Sequence, residues 1–235
     1  GMLKSAAKKL GLKYGEPINN KQLINMVETS QKRLELKNYD IRKNTLEYDD
    51  VDNIERQIIY KKRSDLVNNN INISSEINDY MEFSSNSIVE ECIELSKENN
   101  AKDKAYKIIN NGLKNLIGVE DIVNENMSKK EMAQSIEKTL KEKYTAKIDE
   151  IEKQGNNSEN IQNNIALSVI DAHWIQYITA VQNLRDLTSL TGYGNTKPVD
   201  IYKQKSLDMF NDLLLRIKTD IVFSILNHEV PQNNL

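Results

Sequence analysis

Glu47, Asp49, Asp50 and Asp52 place four carboxylates within six residues. Carboxylates that converge can hold a hard cation or carry out acid–base chemistry. On a helix, however, successive side chains point about 100° apart, so these four fan around the axis. Arg42, Lys43 and Arg56 lie within reach, and Asp52 to Arg56 is a favourable i,i+4 spacing. The pattern therefore predicts ion pairing, within the chain or with a partner, in place of metal binding or catalysis.

The other candidates for chemistry are sparse. Ser168, Asp171 and His173 are close in sequence, yet no nucleophile elbow or oxyanion loop accompanies them. His173 is expected to be a core or interface histidine, and Trp174, the single tryptophan, a packing anchor. Cys92 is the single cysteine, which excludes an intrachain disulfide and a cysteine zinc site. No G-x-x-x-x-G-K-[ST] run is present, so nothing in the sequence cradles a nucleotide phosphate.

Residues 18–111 contain neither glycine nor proline, and so nothing that breaks a helix. Val27, Leu34, Ile41 and Tyr48 fall seven apart, with Val51, Ile54 and Ile58 following at helical spacing. This predicts one amphipathic helix over residues 21–66, roughly 70 Å long, with Ile41 in its buried stripe. Asn68 to Asn72 is expected to break it, since asparagine competes for the backbone.

Beyond the break, Ile77, Met81 and Ile88 to Leu95 suggest one helix and Ala105 to Leu116 another. Ser128 followed by Glu131 is a capping-box signature opening a third, which ends at Gly155-Asn156-Asn157. Ile170, His173, Tyr177, Val181 and Leu184 mark one face of a fourth. A loop from Thr191 to Pro198 leads to a final helix with Phe210, Leu213 or Leu214, Ile217, Ile221 and Ile225 as its stripe. So short a connection predicts antiparallel neighbours. The fold class is all-α, which agrees with 38% hydrophobic and 29% charged residues and only three prolines.

The net charge of −3 leaves no basic footprint for nucleic acid. Lys and Arg exceed Asp and Glu by 4 over residues 1–66, while acidic residues lead by 6 over residues 67–160. No apolar run approaches the ~20 residues that cross a bilayer.

The run Asn38-Tyr39-Asp40-Ile41-Arg42-Lys43-Asn44-Thr45-Leu46-Glu47-Tyr48-Asp49-Asp50-Val51, continued by Asn53, Arg56, Ile59-Tyr60 and Arg63, closely resembles the helical scaffold of the SecA family of protein translocase motors. The family's run reads NFDIRKxLLEYDDVxNxQRxxIYxxR; Tyr39, Thr45 and Glu55 are departures from it. A second run, Ile170-Asp171, Trp174, Leu184-Arg185, Leu190, Gly192-Tyr193, Pro198, Tyr202-Lys203 and Phe210, resembles the family's two-helix finger. Here Tyr177 stands in place of a usual His, Val181-Gln182 in place of Met-Asp, and Thr191 in place of Arg. Such departures make the chain look like a divergent or accessory member.

The resemblance implies a domain plan. Residues 1–20 would be a linker and short helix from the end of the motor region, 21–66 the scaffold helix, 67–155 the helical wing and 156–235 the continued scaffold with the finger. It also implies a role: coupling motor domains to an unfolded preprotein and to a SecY-type membrane channel. Gly192, Tyr193 and Gly194 would form the contacting finger tip. Arg42, Glu47, Tyr48, Asp49, Asp50 and Arg56 would make interdomain scaffold contacts. ATP and Mg would belong to nucleotide-binding domains expected upstream, with no cofactor or metal held by these residues. The family's work is cytoplasmic, at the inner face of the cell membrane. Without those domains the scaffold helix is expected to expose apolar surface and to self-associate. The competing expectation is a free-standing helical adaptor.

Overall fold

The computed structural model describes residues 21–98, 105–190 and 197–229. Among the described residues there are six helices and no strand. They are α1 (Lys21–Val67), α2 (Ile73–Glu98), α3 (Ala105–Ile117), α4 (Lys129–Lys153), α5 (Ser158–Leu190) and α6 (Pro198–Leu226). No helix among the described residues is long and apolar enough to cross a membrane. The chain divides into two compact units, residues 1–53 and 54–235.

In the first unit the described residues are all helix, as the absence of breakers predicts. Thr29 and Thr45 turn their hydroxyls back onto the carbonyls of Asn25 and Ile41, at 2.7 and 2.9 Å, the bond a helical threonine makes to the preceding turn. Residues 31–46 are exposed throughout. Leu34 is 60% exposed and Ile41 53%, so Ile41 is not the core residue its spacing suggests. Periodicity marks a face that can be buried; whether a neighbour covers it is a separate matter. Tyr48, by contrast, is buried.

In the second unit α1 continues to Val67 and stops where the asparagines begin. Asn68 folds its side-chain amide onto the Ser64 carbonyl at 2.8 Å, and Asn69 takes a left-handed φ of 54°. Ile73, Ile77 and Met81 of α2 are almost fully buried, as are Ile136 and Leu140 of α4. α2 packs against α4, α6 and α3, so it is the hub of this unit. α3 ends at Gly118, whose φ of 66° is the left-handed turn that releases the helix C-terminus. The linker that follows is pinned by Asn110, which both donates to and accepts from the backbone of Val123, at 2.7 and 3.1 Å. α4 opens on the expected capping box: Ser128 Oγ accepts from the Glu131 N–H, and Glu131 accepts from the Ser128 N–H. Gly155 (φ 79°) follows its end.

Among the described helices α5 and α6 pack against one another most extensively. Contacts of His173 with Asp220 and of Tyr177 with Phe210 fix them as antiparallel. Of the two candidates for the α6 stripe it is Leu213 that is buried, beside Phe210, Ile217, Ile221 and Ile225.

Candidate functional site

The site lies in the second unit, where residues 54–67 of α1 meet the α5–α6 pair. The buried face of this stretch is Glu55, Ile59 and Leu66, at 4%, 3% and 1% exposure. Their spacing of four and seven puts them on one side of a helix. Opposite Glu55 lie Tyr177 of α5 and Ser206 of α6, with Trp174 and Phe210 beside them.

Aromatic rings run through this seam. Tyr60 meets Trp174 edge-on at 6.2 Å, Trp174 stacks on Tyr177 at 5.4 Å, and Tyr177 meets Phe210 edge-on at 5.7 Å. Each such pair adds about 0.5–1.5 kcal/mol beyond its burial. Trp174 is thus the packing anchor its residue type suggests.

Polar groups bracket the rings. The Tyr177 hydroxyl donates to Glu55 Oε2 at 2.7 Å and Ser206 Oγ donates to Glu55 Oε1 at 2.7 Å, all three residues being buried. Two turns further along α1, Arg63 forms a two-pronged pair with Asp171, Nε to Oδ1 at 2.9 Å and Nη2 to Oδ2 at 3.2 Å. Asp171 holds the guanidinium above its ordinary pKa by hydrogen bond and charge. Lys62 pairs with Glu76 of α2, which also accepts from the Tyr80 hydroxyl at 2.6 Å. Burial pushes the Glu76 carboxyl up, but the bonds from Lys62 and Tyr80 outweigh it and hold the carboxyl below its usual range. A groove of about 630 Å³ opens beside the rings, lined by Ile59, Tyr60, Arg63, Val67, Trp174 and Ile175 among others.

The three residues that read as a possible triad each bond to a partner outside it. Asp171 is committed to Arg63, His173 Nε2 lies 2.6 Å from Asp220, and Ser168 Oγ donates to the Asn164 carbonyl at 3.0 Å. His173 is half-buried against α6, in keeping with an interface histidine. Burial, helped by Glu91, pushes the Cys92 thiol up and so keeps it protonated.

In the first unit the carboxylate run fans around α1: Tyr48 is buried, Glu47 and Asp49 are half-buried, and Arg42 and Asp50 are exposed. Arg56 belongs to the second unit and is exposed. Gly192, Tyr193 and Gly194 lie outside the described residues. What sequence reasoning missed is the polar part of the seam: Glu55 as a buried acceptor, Ser206, and the pairings across it. Glu55 registers in the sequence only as a departure from a motif, while Tyr177 registers as a helix-face residue with no sign of its hydrogen-bond partners. The pairing of Arg63 with Asp171 joins residues 108 apart, a distance over which spacing carries no signal.

Comparison with known proteins decides the family. The SecA wing and scaffold domain matches residues 17–229. The chain belongs to the SecA wing and scaffold family. It is 31% identical over 238 residues to the protein translocase subunit SecA of Helicobacter acinonychis (strain Sheeba), covering 99% of this chain and 27% of that protein. The SecA subunit of Clostridium kluyveri is 30% identical over 235 residues, covering 98% of this chain and 28% of the relative. That of Pelagibacter ubique is 30% identical over 229 residues, covering 95% and 26%. This SecA-family chain therefore spans about a quarter of the length of the curated relatives it matches.

Proposed function

We propose that this chain is the scaffold-and-wing part of a SecA-type protein translocase. In this reading residues 21–66 form the scaffold helix, 67–155 the wing and 156–235 the continued scaffold, with α5 and α6 as a two-helix finger. The observation that carries the reading is the state of α1. Leu34 and Ile41 fall on the heptad that continues through Tyr48 to Glu55, yet the first two are more than half exposed and the last two are buried. A face in register with a buried one, left bare over residues 31–46, is what a scaffold offers to another domain.

The occupant we assign is the nucleotide-binding part of the motor, which would bring ATP and Mg; no phosphate-cradling loop exists in these residues. Arg42, Glu47, Tyr48, Asp49, Asp50 and Arg56 would supply the polar rim of that contact. The finger would carry the motor's stroke to an unfolded preprotein and a SecY-type channel through Gly192, Tyr193 and Gly194. A tyrosine between two glycines presents an amphipathic ring that contacts varied sequences without demanding one. The work would take place at the cytoplasmic face of the membrane, with the chain bound peripherally.

The test is binding of this chain to the nucleotide-binding domains supplied separately, followed by calorimetry. Leu34→Asp and Ile41→Asp should each weaken the complex at least tenfold while leaving helical content unchanged. Failure to bind, or binding indifferent to both substitutions, overturns the reading.

A further inference from the structure

Helix α1 and the two consecutive helices α5 and α6, more than a hundred residues further on, meet at one buried carboxylate. Glu55 of α1 accepts from Tyr177 of α5 at Oε2 and from Ser206 of α6 at Oε1, each at 2.7 Å. Exposure is 4% at Glu55, 6% at Tyr177 and 0% at Ser206. One acceptor with two oxygens is thus shared between the two arms of the hairpin, one hydroxyl from each.

The apolar members of the seam impose no comparable condition. Apolar burial is non-directional, whereas a hydrogen bond weakens steeply once its distance and angle are lost. A displaced carboxylate loses these two hydrogen bonds, and lost bonds at a buried polar group are expensive because its desolvation cost stays. Its effect therefore appears in the gap between the right register and the wrong ones more than in net stability. The second polar pin, Arg63 with Asp171, has side chains 47% and 44% exposed, so water can replace either partner and it discriminates weakly. Glu55 and Tyr177 are also both positions where the chain departs from the runs quoted above.

We propose that Glu55 is the positioning residue that sets the register of the α5–α6 hairpin on α1, its two oxygens acting as a shared acceptor for one hydroxyl from each arm. This holds whatever the hairpin contacts.

The chain carries its own reporter. Trp174 is the single tryptophan, stacked 5.4 Å from Tyr177, so a ¹⁵N-labelled sample gives one indole N–H peak. In Glu55→Leu the far-ultraviolet circular dichroism should stay helical while that peak splits, the minor form holding roughly a tenth of the intensity or more. Tyr177→Phe, which keeps the ring and removes one donor, should split it as well. Glu55→Gln, which keeps an acceptor, should retain one dominant peak. A folded Glu55→Leu chain with a single sharp peak overturns the proposal. If Glu55→Leu unfolds, the Tyr177→Phe/Ser206→Ala chain decides by the same criterion: splitting supports the proposal and a single peak overturns it. Unfolding of both overturns it too, because the node would then supply stability and not register.

Discussion

Ile41 and Ile59 sit on one continuous helix and carry the same side chain, but they are 53% and 3% exposed. Replacing each by alanine isolates burial from helix propensity, which alanine improves by a few tenths of a kcal/mol, about equally at both. At Ile59 the deletion removes three carbons from a packed seam, and buried Ile→Ala changes cost about 2–5 kcal/mol. Ile59 also borders two open grooves, of about 630 and 320 Å³, so water can enter the space left and the lower half of that range applies, about 2–3 kcal/mol. For a chain of this size that lowers the melting temperature by roughly 4–12 °C. At Ile41 the propensity gain offsets what little contact is lost, and the change should stay within about 0.5 kcal/mol. Urea unfolding followed by circular dichroism and by Trp174 emission gives both values. Equal losses at the two positions would refute the assignment of α1 as buried in one stretch and bare in another.

Other outcomes follow from the same contacts. Glu76 is held ionised by Lys62 and Tyr80 against the effect of burial, so its contribution is present above the ordinary carboxylate value of 4.5 and is lost as pH falls through its lowered folded value. Glu76→Gln should therefore flatten the acid limb of stability below that pH, and an unchanged acid-unfolding curve would contradict it. Ser128→Ala removes the N-cap of α4 and should cost about 1 kcal/mol, read as a lower urea midpoint with unchanged slope. Calorimetry should find no ATP binding to this chain; micromolar affinity would contradict the absence of a phosphate loop. In the full-length protein, Tyr193→Ala should leave helical content and ATP binding intact while translocation falls sharply, and wild-type translocation by that mutant would end its assignment as the working tip.

Sequence alone determined the elements, because helix breakers and caps act locally. The first part of the glycine- and proline-free run became α1, the asparagines ended it, Ser128 with Glu131 capped α4, and Gly118 and Gly155 follow α3 and α4. Two runs of residues in order also carried the family. Tertiary structure alone decided which apolar positions are covered. Leu34, Ile41, Tyr48 and Glu55 share a heptad, yet the polar Glu55 is buried and the apolar Ile41 is not. A stripe records only that a side chain can be buried. Burial needs a neighbour, and here the neighbour of α1 is a hairpin more than a hundred residues away that brings Tyr177 and Ser206 to one carboxylate. Periodicity could place Tyr177 on a buried face, but the pairing of donors with an acceptor over that distance leaves no local trace.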